Sequence, residues 1–217
     1  MAHVSEDEAL CAAFARGEDV HRATAAKMFH VMPELVTSEM RNRAKVINFG
    51  LLYGMTAHGV ATRLGCSRAE AKTLIDGYFG AYPKLQETVE RLIAATRDDP
   101  KHEARTIFGR VRRLEEIVSR NGGRRQFSER AAVNTVVQGS AADIIKLAMI
   151  AAHARLKAEH PRARLLLQVH DELVVEAPED EAQAVLTTLI AAMEGVHELR
   201  APLKAVGGVG ASWYSLK

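Results

Sequence analysis

The stretch Arg41-Asn42-Arg43-Ala44-Lys45-Val46-Ile47-Asn48-Phe49-Gly50-Leu51-Leu52-Tyr53-Gly54 decides how this chain is read. Arg41, Lys45, Phe49 and Tyr53 recur at intervals of four, and four residues turn an α-helix by about 400°, so they form one slowly drifting row on a single face. From Arg41 to Tyr53 the rise is about 18 Å, comparable with an extended nucleoside triphosphate. The two cations come first, near the backbone amides of the helix start, where the dipole also favours an anion. The two rings follow, so the order along the face is that of triphosphate, sugar and base. An amphipathic helix with exposed charges and buried rings has the same pattern. Against it, Val46, Ile47, Leu51 and Leu52 already supply an apolar packing face, and Gly50 and Gly54 beside the rings suit close approach of a ligand or a neighbouring helix. No Gly-x-x-x-x-Gly-Lys occurs, so this is not a Walker loop.

Working outward, Ser38 begins this helix and Gly54 stops it. Upstream, a helix over Asp7 to Ala15 is closed by Gly17, and a second starts near Asp19, covers His21 to Phe29 and ends before Pro33. Downstream, Ser67 caps a helix through Tyr78, and Tyr82-Pro83-Lys84 opens another that continues to about Thr96. From Arg105 to Arg130 eight arginines face three glutamates, an excess of five positive charges, with Gly109, Gly122 and Gly123 as punctuation. This segment is expected to be irregular, basic and exposed, either a solvated loop or a phosphate-contacting one. One long helix should follow from Ser128 to about Ala158. Residues 165–169 and 172–176 read as strands joined by His170-Asp171, a tight hairpin with its charge at the tip. Glu179 to Met193 is helical again, and Leu203 to Gly208 suits a last strand. The fold class is therefore α+β with helix in excess.

The 217 residues are 47% hydrophobic and 26% charged, which excludes collagen-like, mucin-like and broadly disordered chains. The 29 basic and 27 acidic residues leave a formal charge of only +2, so an anionic partner must be held by local clusters rather than by a global field. Cys11 and Cys66 lack metal-ligand spacing and fit inert thiols in a reducing compartment. The N-terminus is acidic where a signal peptide would be basic, and no apolar run is expected to approach the ~18 residues of a membrane span. A cytoplasmic protein without a membrane partner is the expectation.

Two more groups carry chemistry. Arg130, Asn134 and Gln138 form a second row at intervals of four, on a helix otherwise rich in Ala, Val and Ile. They are either an exposed polar stripe or donors that test base-pair geometry in the minor groove, where the acceptors of A·T and T·A are degenerate. Asp171 and Glu172 are either ordinary turn residues or a carboxylate pair on a rigid apolar support, as a divalent metal requires.

The motif Arg41-x-x-x-Lys45-x-x-x-Phe49-Gly50-x-x-Tyr53-Gly54 resembles the fingers helix of the A-family DNA polymerases, the DNA polymerase I-like group. The similarity continues in order through His21-Arg22-Ala23-Thr24-Ala25, Glu129-Arg130-Ala131-Ala132-x-Asn134, Gln138-Gly139-x-Ala141-Ala142-Asp143 and Gln168-Val169-His170-Asp171-Glu172, and so covers nearly the whole chain. The resemblance implies a palm-proximal helix at 1–16, fingers at 17–127 and a C-terminal palm portion at 128–217. It implies that Arg41, Lys45, Phe49, Tyr53 and His21 bind a deoxynucleoside triphosphate, with Lys45 also catalytic. Arg130, Asn134, Gln138 and His170 would lie along primer-template DNA. Asp171 would be a catalytic ligand of Mg²⁺ and Glu172 an accessory acid.

The resembled family also carries a second aspartate, in a motif like Asp-Tyr-Ser-Gln-x-Glu-Leu-Arg, and Met1-Ala2-His3 matches the residues just after that motif. The two-metal site is thus expected to be only partly encoded here, with a thumb and N-terminal palm segment to be supplied in cis or as a separate chain. Asp7, Glu8, Asp19 and Asp143 are poor substitutes, since the first two cap a helix and Asp143 belongs to a matched helix. Leu114-Glu115-Glu116 departs from the proline-containing turn of the family, which weakens an expectation of DNA contact there. Three readings stand: template-directed DNA synthesis by an enzyme of which this is a part, a catalytically inactive fragment that binds nucleotide or primer-template, and a plain helical scaffold.

Overall fold

A computed structural model describes residues 1–52 and 54–216. The chain divides into two compact units, Met1–Ser140 and Ala141–Lys217. Unit one holds α1 (Ala2–Ser5), α2 (Glu8–Ala15), α3 (Val20–Phe29), α4 (Ser38–Leu52), α5 (Ala57–Leu64), α6 (Arg68–Ala81), α7 (Pro83–Asp98), the hairpin β1 (Glu103–Arg105) and β2 (Val111–Arg113), and α8 (Gly122–Asn134). Helix α9 (Ser140–Glu159) leads into unit two, with the hairpin β3 (Arg164–Val169) and β4 (Glu172–Glu176) and helix α10 (Ala182–Glu194). The class is α+β, helix dominating and both sheets two-stranded and antiparallel.

Local chemistry sets the helix starts. Asp7 accepts from the Leu10 amide at 3.0 Å, and Asp19 from the amides of His21 and Arg22, each satisfying orphan donors of a first turn. Ser67 and Glu70 close a reciprocal capping box on α6. The cap of α4 is Thr37 rather than Ser38: the Thr37 hydroxyl takes the Met40 amide at 3.2 Å, so Ser38 is already helical. Helix α3 packs on α4 and α6, and α5 on α4 and α6; Ala25, Ala44, Ile47 and Val60 on these helices are fully buried.

Four sequence expectations need correction. Helix α5 was not anticipated, although Thr56 caps it by accepting from Gly59 at 3.3 Å. The basic segment is not irregular throughout: β1 and β2 pair, and Ala104, Leu114, Ile117, Ala131 and Ala132 form a small core beneath its charges. The Glu103 side chain, 7% exposed, pairs with both Arg105 and Arg113, and Glu116 lies 3.3 Å from Arg124, so part of the arginine charge is neutralised within the fold. Residues 203–208 form no strand: Gly207 and Gly208 interrupt the run, and no pairing partner lies alongside among the described residues. Finally, the helical residues Gly122–Glu159 include an 18-residue window apolar enough by length and composition to cross a membrane, although the core helix of a soluble protein passes the same test.

In unit two, Ala152, Leu189 and Ala192 pack with Leu173, Val175 and Met193. Leu165 pairs with Val175 and Leu167 with Val174, which leaves Leu166 as a bulge residue. An open apolar cleft of about 910 Å³ runs past Ile144, Val174, Leu186, Ile190 and Trp213.

Candidate functional site

Unit one carries a polar face built by α3 and α4. On α4, Ala44, Ile47 and Asn48 turn inward, while Lys45 and Phe49 are exposed and Arg41 is half-buried. Phe49 keeps 45% of its surface accessible, so the alternative of a ring sunk in the core does not hold for it. The His21 ring of α3 lies 5.4 Å from the Phe49 ring at an interplanar angle of 53°. His21, Arg41, Lys45 and Phe49 therefore share one surface; Tyr53, the fourth member of the row, lies outside the described residues.

Beneath this surface runs a polar chain that sequence reasoning missed. Asn48 Nδ2 lies 3.0 Å from His21 Nδ1 and 3.1 Å from the Thr24 hydroxyl, and that hydroxyl lies 3.2 Å from the phenol of Tyr82. Thr24, Asn48 and Tyr82 are all buried, and buried polar groups of this kind must find partners. The signal was present in the polar Asn48 standing beside Ile47 on the packing side of α4, but its partners are distant in sequence. Burial holds the His21 imidazole below its ordinary range, with Asp19 opposing and Arg41 and Lys45 lowering it further, which favours the uncharged ring. Asp19 bonds Arg41 Nε at 2.6 Å. Burial alone would raise the Asp19 carboxyl, but the hydrogen bonds from Arg41 and the Arg22 amide bring it below the usual carboxylate range. The face thus brings together Lys45, an Arg41 held by Asp19 and an imidazole, donor chemistry suited to a polyanion.

The second row lies on and just after α8. Arg130 packs over Gly54: a Cβ built on that glycine would fall 2.3 Å from Arg130 Cγ, and Gly54 has φ +72°. Asn134 Oδ1 is buried with no hydrogen-bond partner among the described residues. Gln138 is exposed but lies in a π-helical turn, Thr135–Gly139. That i→i+5 turn shifts the register, so the even four-residue row expected from sequence is broken between Asn134 and Gln138.

In unit two, His170, Asp171 and Glu172 sit exposed at the hairpin tip. His170 adopts φ +54°, a left-handed conformation uncommon for a residue with a Cβ. Gln168 Nε2 donates to the His170 carbonyl at 2.8 Å and steadies the turn. Mg²⁺ is held in phosphoryl-transfer sites by one or two carboxylates with water and substrate phosphates, so the donor chemistry of Asp171 and Glu172 fits part of such a site. Among the described residues no group of three or more His, Cys, Asp or Glu could hold a metal.

The family model for DNA polymerase family A matches residues 1–215. The chain is 44% identical over all its residues to DNA polymerase I of Geobacillus stearothermophilus, covering 24% of that protein. It is 43% identical, again over its full length, to the thermostable DNA polymerase I of Thermus aquaticus, covering 26%. A solved structure, the POL domain of Pol1 from M. smegmatis in complex with DNA primer-template and dNTP, superposes with a TM-score of 0.88 at 39% identity, over 94% of this chain and 35% of that one. The chain spans about a quarter of the length of the curated relatives it matches, and it belongs to DNA polymerase family A.

Proposed function

We propose that this chain is the fingers and C-terminal palm portion of a DNA polymerase I-like enzyme, adding deoxynucleotides to a primer 3′ end under direction of a template once a thumb and N-terminal palm segment is supplied, in cis or as a separate chain. The observation that carries the reading is the row of half-buried Arg41 and exposed Lys45 and Phe49 with His21 against the ring, in a chain matched along its length to the family. Arg41, Lys45 and His21 receive the triphosphate, Phe49 meets the sugar, and Tyr53 completes the row toward the base. Lys45, beside the phosphates, also opposes negative charge that develops on the leaving group. Residues 1–16 belong beside the palm, 17–127 to the fingers and 128–217 to the palm.

Arg130, Asn134, Gln138 and His170 face primer-template DNA. The unpartnered Asn134 carbonyl oxygen supports this, because a buried acceptor without a partner is costly unless a ligand or water meets it. Asp171, with Glu172 as accessory acid, would hold Mg²⁺, which when bound supplies charge stabilisation to the attacking and leaving oxygens. Leu166 and Leu167 on β3, 53% and 41% exposed, leave apolar surface for the completing segment to cover.

The lack of a third metal-binding group among the described residues favours a second reading for the chain by itself: a fragment that binds nucleotide or primer-template without chemistry. Primer extension separates the two. With primer-template, four deoxynucleotides and Mg²⁺, the purified 217-residue chain is expected to give trace extension at most, and addition of a polypeptide carrying the preceding thumb and palm region of a relative should restore it. Robust extension by the chain alone, or none after complementation, would count against the proposal.

A further inference from the structure

We propose that Asp19 is a positioning residue for the triphosphate, holding Arg41 by its Nε so that the two terminal NH2 groups of the guanidinium stay available to phosphate oxygens. The inference rests on the nucleotide reading of the α3–α4 face and assigns a role to a residue outside it.

The two carboxylate oxygens of Asp19 do separate work. Oδ1 accepts from the His21 and Arg22 amides at 3.0 and 3.1 Å and so caps α3. Oδ2 accepts from Arg41 Nε at 2.6 Å. The anchor is firm, because the carboxylate is tied to the backbone at the start of a helix. Arg22 of the same turn reaches the carbonyls of Pro33 and Val36, just before α4, at 3.0 and 3.3 Å. A guanidinium has five N–H donors in a fixed fork, and the contact through Nε uses one of them. The terminal nitrogens of Arg41 have no acceptor among the described residues, on a surface shared with exposed Lys45. A carboxylate that merely neutralised Arg41 would be expected to engage those outer nitrogens. This one holds the inner nitrogen and leaves the fork that matches phosphate geometry.

Asp19→Asn separates the two jobs. Asparagine caps a helix about as well as aspartate, so its Oδ1 keeps α3 in place, while an amide NH2 replaces the acceptor that Arg41 uses. Asp19→Ser, which also caps but does not extend to Arg41, is the second variant should the first fold poorly. The probes are inorganic tripolyphosphate, dATP and dAMP, titrated into the 217-residue chain. Asp19→Asn is expected to weaken tripolyphosphate and dATP by about two- to fivefold, the scale of a partly exposed ion pair, and to leave dAMP unchanged. In the Arg41→Ala background the same substitution should cost nothing. The Arg41 Nε–H resonance should be protected from exchange in the wild type, remain so on adding tripolyphosphate, and lose protection in Asp19→Asn.

Tighter tripolyphosphate binding by Asp19→Asn would overturn the proposal, because the carboxylate would then be a competitor for Arg41. Equal losses with and without Arg41, or loss of Arg41 Nε–H protection on adding the ligand, would do so too. Binding that Arg41→Ala weakens but neither Asp19 variant affects removes the positioning role and leaves the nucleotide reading intact. If tripolyphosphate does not bind the wild type, or binds it unaffected by Arg41→Ala and Lys45→Ala, the nucleotide reading falls and this role with it.

Discussion

The α3–α4 face and the β3–β4 tip both present charge to solvent, but they are built to different degrees of completeness. On the first, the half-buried groups are backed: Arg41 by Asp19 and His21 by Asn48, which bonds Thr24 and through it reaches Tyr82 in the core. On the second, Gln168 steadies the turn through the His170 carbonyl, yet Asp171 and Glu172 stand exposed, with no third metal-binding group assembled among the described residues. Recognition of a polyanion needs cations held in place, which one pair of helices can do. Metal-assisted phosphoryl transfer needs several converging carboxylates, which one hairpin does not supply. On the proposed reading, binding is local to the α3–α4 face, while metal-assisted chemistry needs carboxylates beyond the hairpin tip.

The largest expected effect sharpens that division. In the complemented protein, Asp171→Asn should lower primer extension by about a thousandfold or more, since metal stabilisation supplies several kcal/mol, and should leave deoxynucleotide binding by the isolated chain unchanged. Extension assays and titrations on the same preparation check both halves. A parallel fall in binding would mean that the two regions are not separable.

Phe49→Tyr comes next. If the exposed ring meets the sugar, a phenolic donor there can replace the contact that a 3′-hydroxyl makes with its own phosphates. The ratio of dideoxy- to deoxynucleotide incorporation should then shift toward the terminator by roughly ten- to a hundredfold. Competition between the two in the complemented protein reads it, and an unchanged ratio would remove Phe49 from the sugar.

Much of the first region was legible because its signals are local. The caps Asp19 and Ser67 and the row Arg41, Lys45, Phe49 lie within single helices, and periodicity exposes them. The support beneath was not legible: Thr24, Asn48 and Tyr82 meet across up to 58 residues of chain, and nothing in their spacing announces it. The strands β1 and β2 escaped because each has three residues dominated by charge, without the alternation that marks a strand. The hairpin β3–β4 was readable from its apolar runs and two-residue connection, whereas the strand expected at 203–208 illustrates that composition cannot supply a pairing partner. The π turn after Asn134 has no sequence signature of its own, so periodicity alone does not reveal that the row bends before Gln138.

A smaller effect concerns how α8 packs beside Gly54, just after α4. Gly54 and Gly17 both have left-handed φ, +72° and +66°, but a Cβ at Gly17 meets nothing within 4 Å while one at Gly54 meets the Arg130 side chain. Gly17→Ala should therefore cost only the backbone term, about 1 kcal/mol, and Gly54→Ala more than that by the displacement of Arg130. Urea unfolding of both variants measures the difference. Equal costs would show that Arg130 is not held against α4.

The most direct test of the central claim, that the α3–α4 face receives a triphosphate, is titration of a deoxynucleoside triphosphate and its monophosphate into the chain and into Lys45→Ala. A cation placed at the outer phosphates loses its target when they are absent, so the substitution should weaken triphosphate binding by about tenfold or more and monophosphate binding hardly at all. Equal losses for the two ligands, or none for either, would contradict the account.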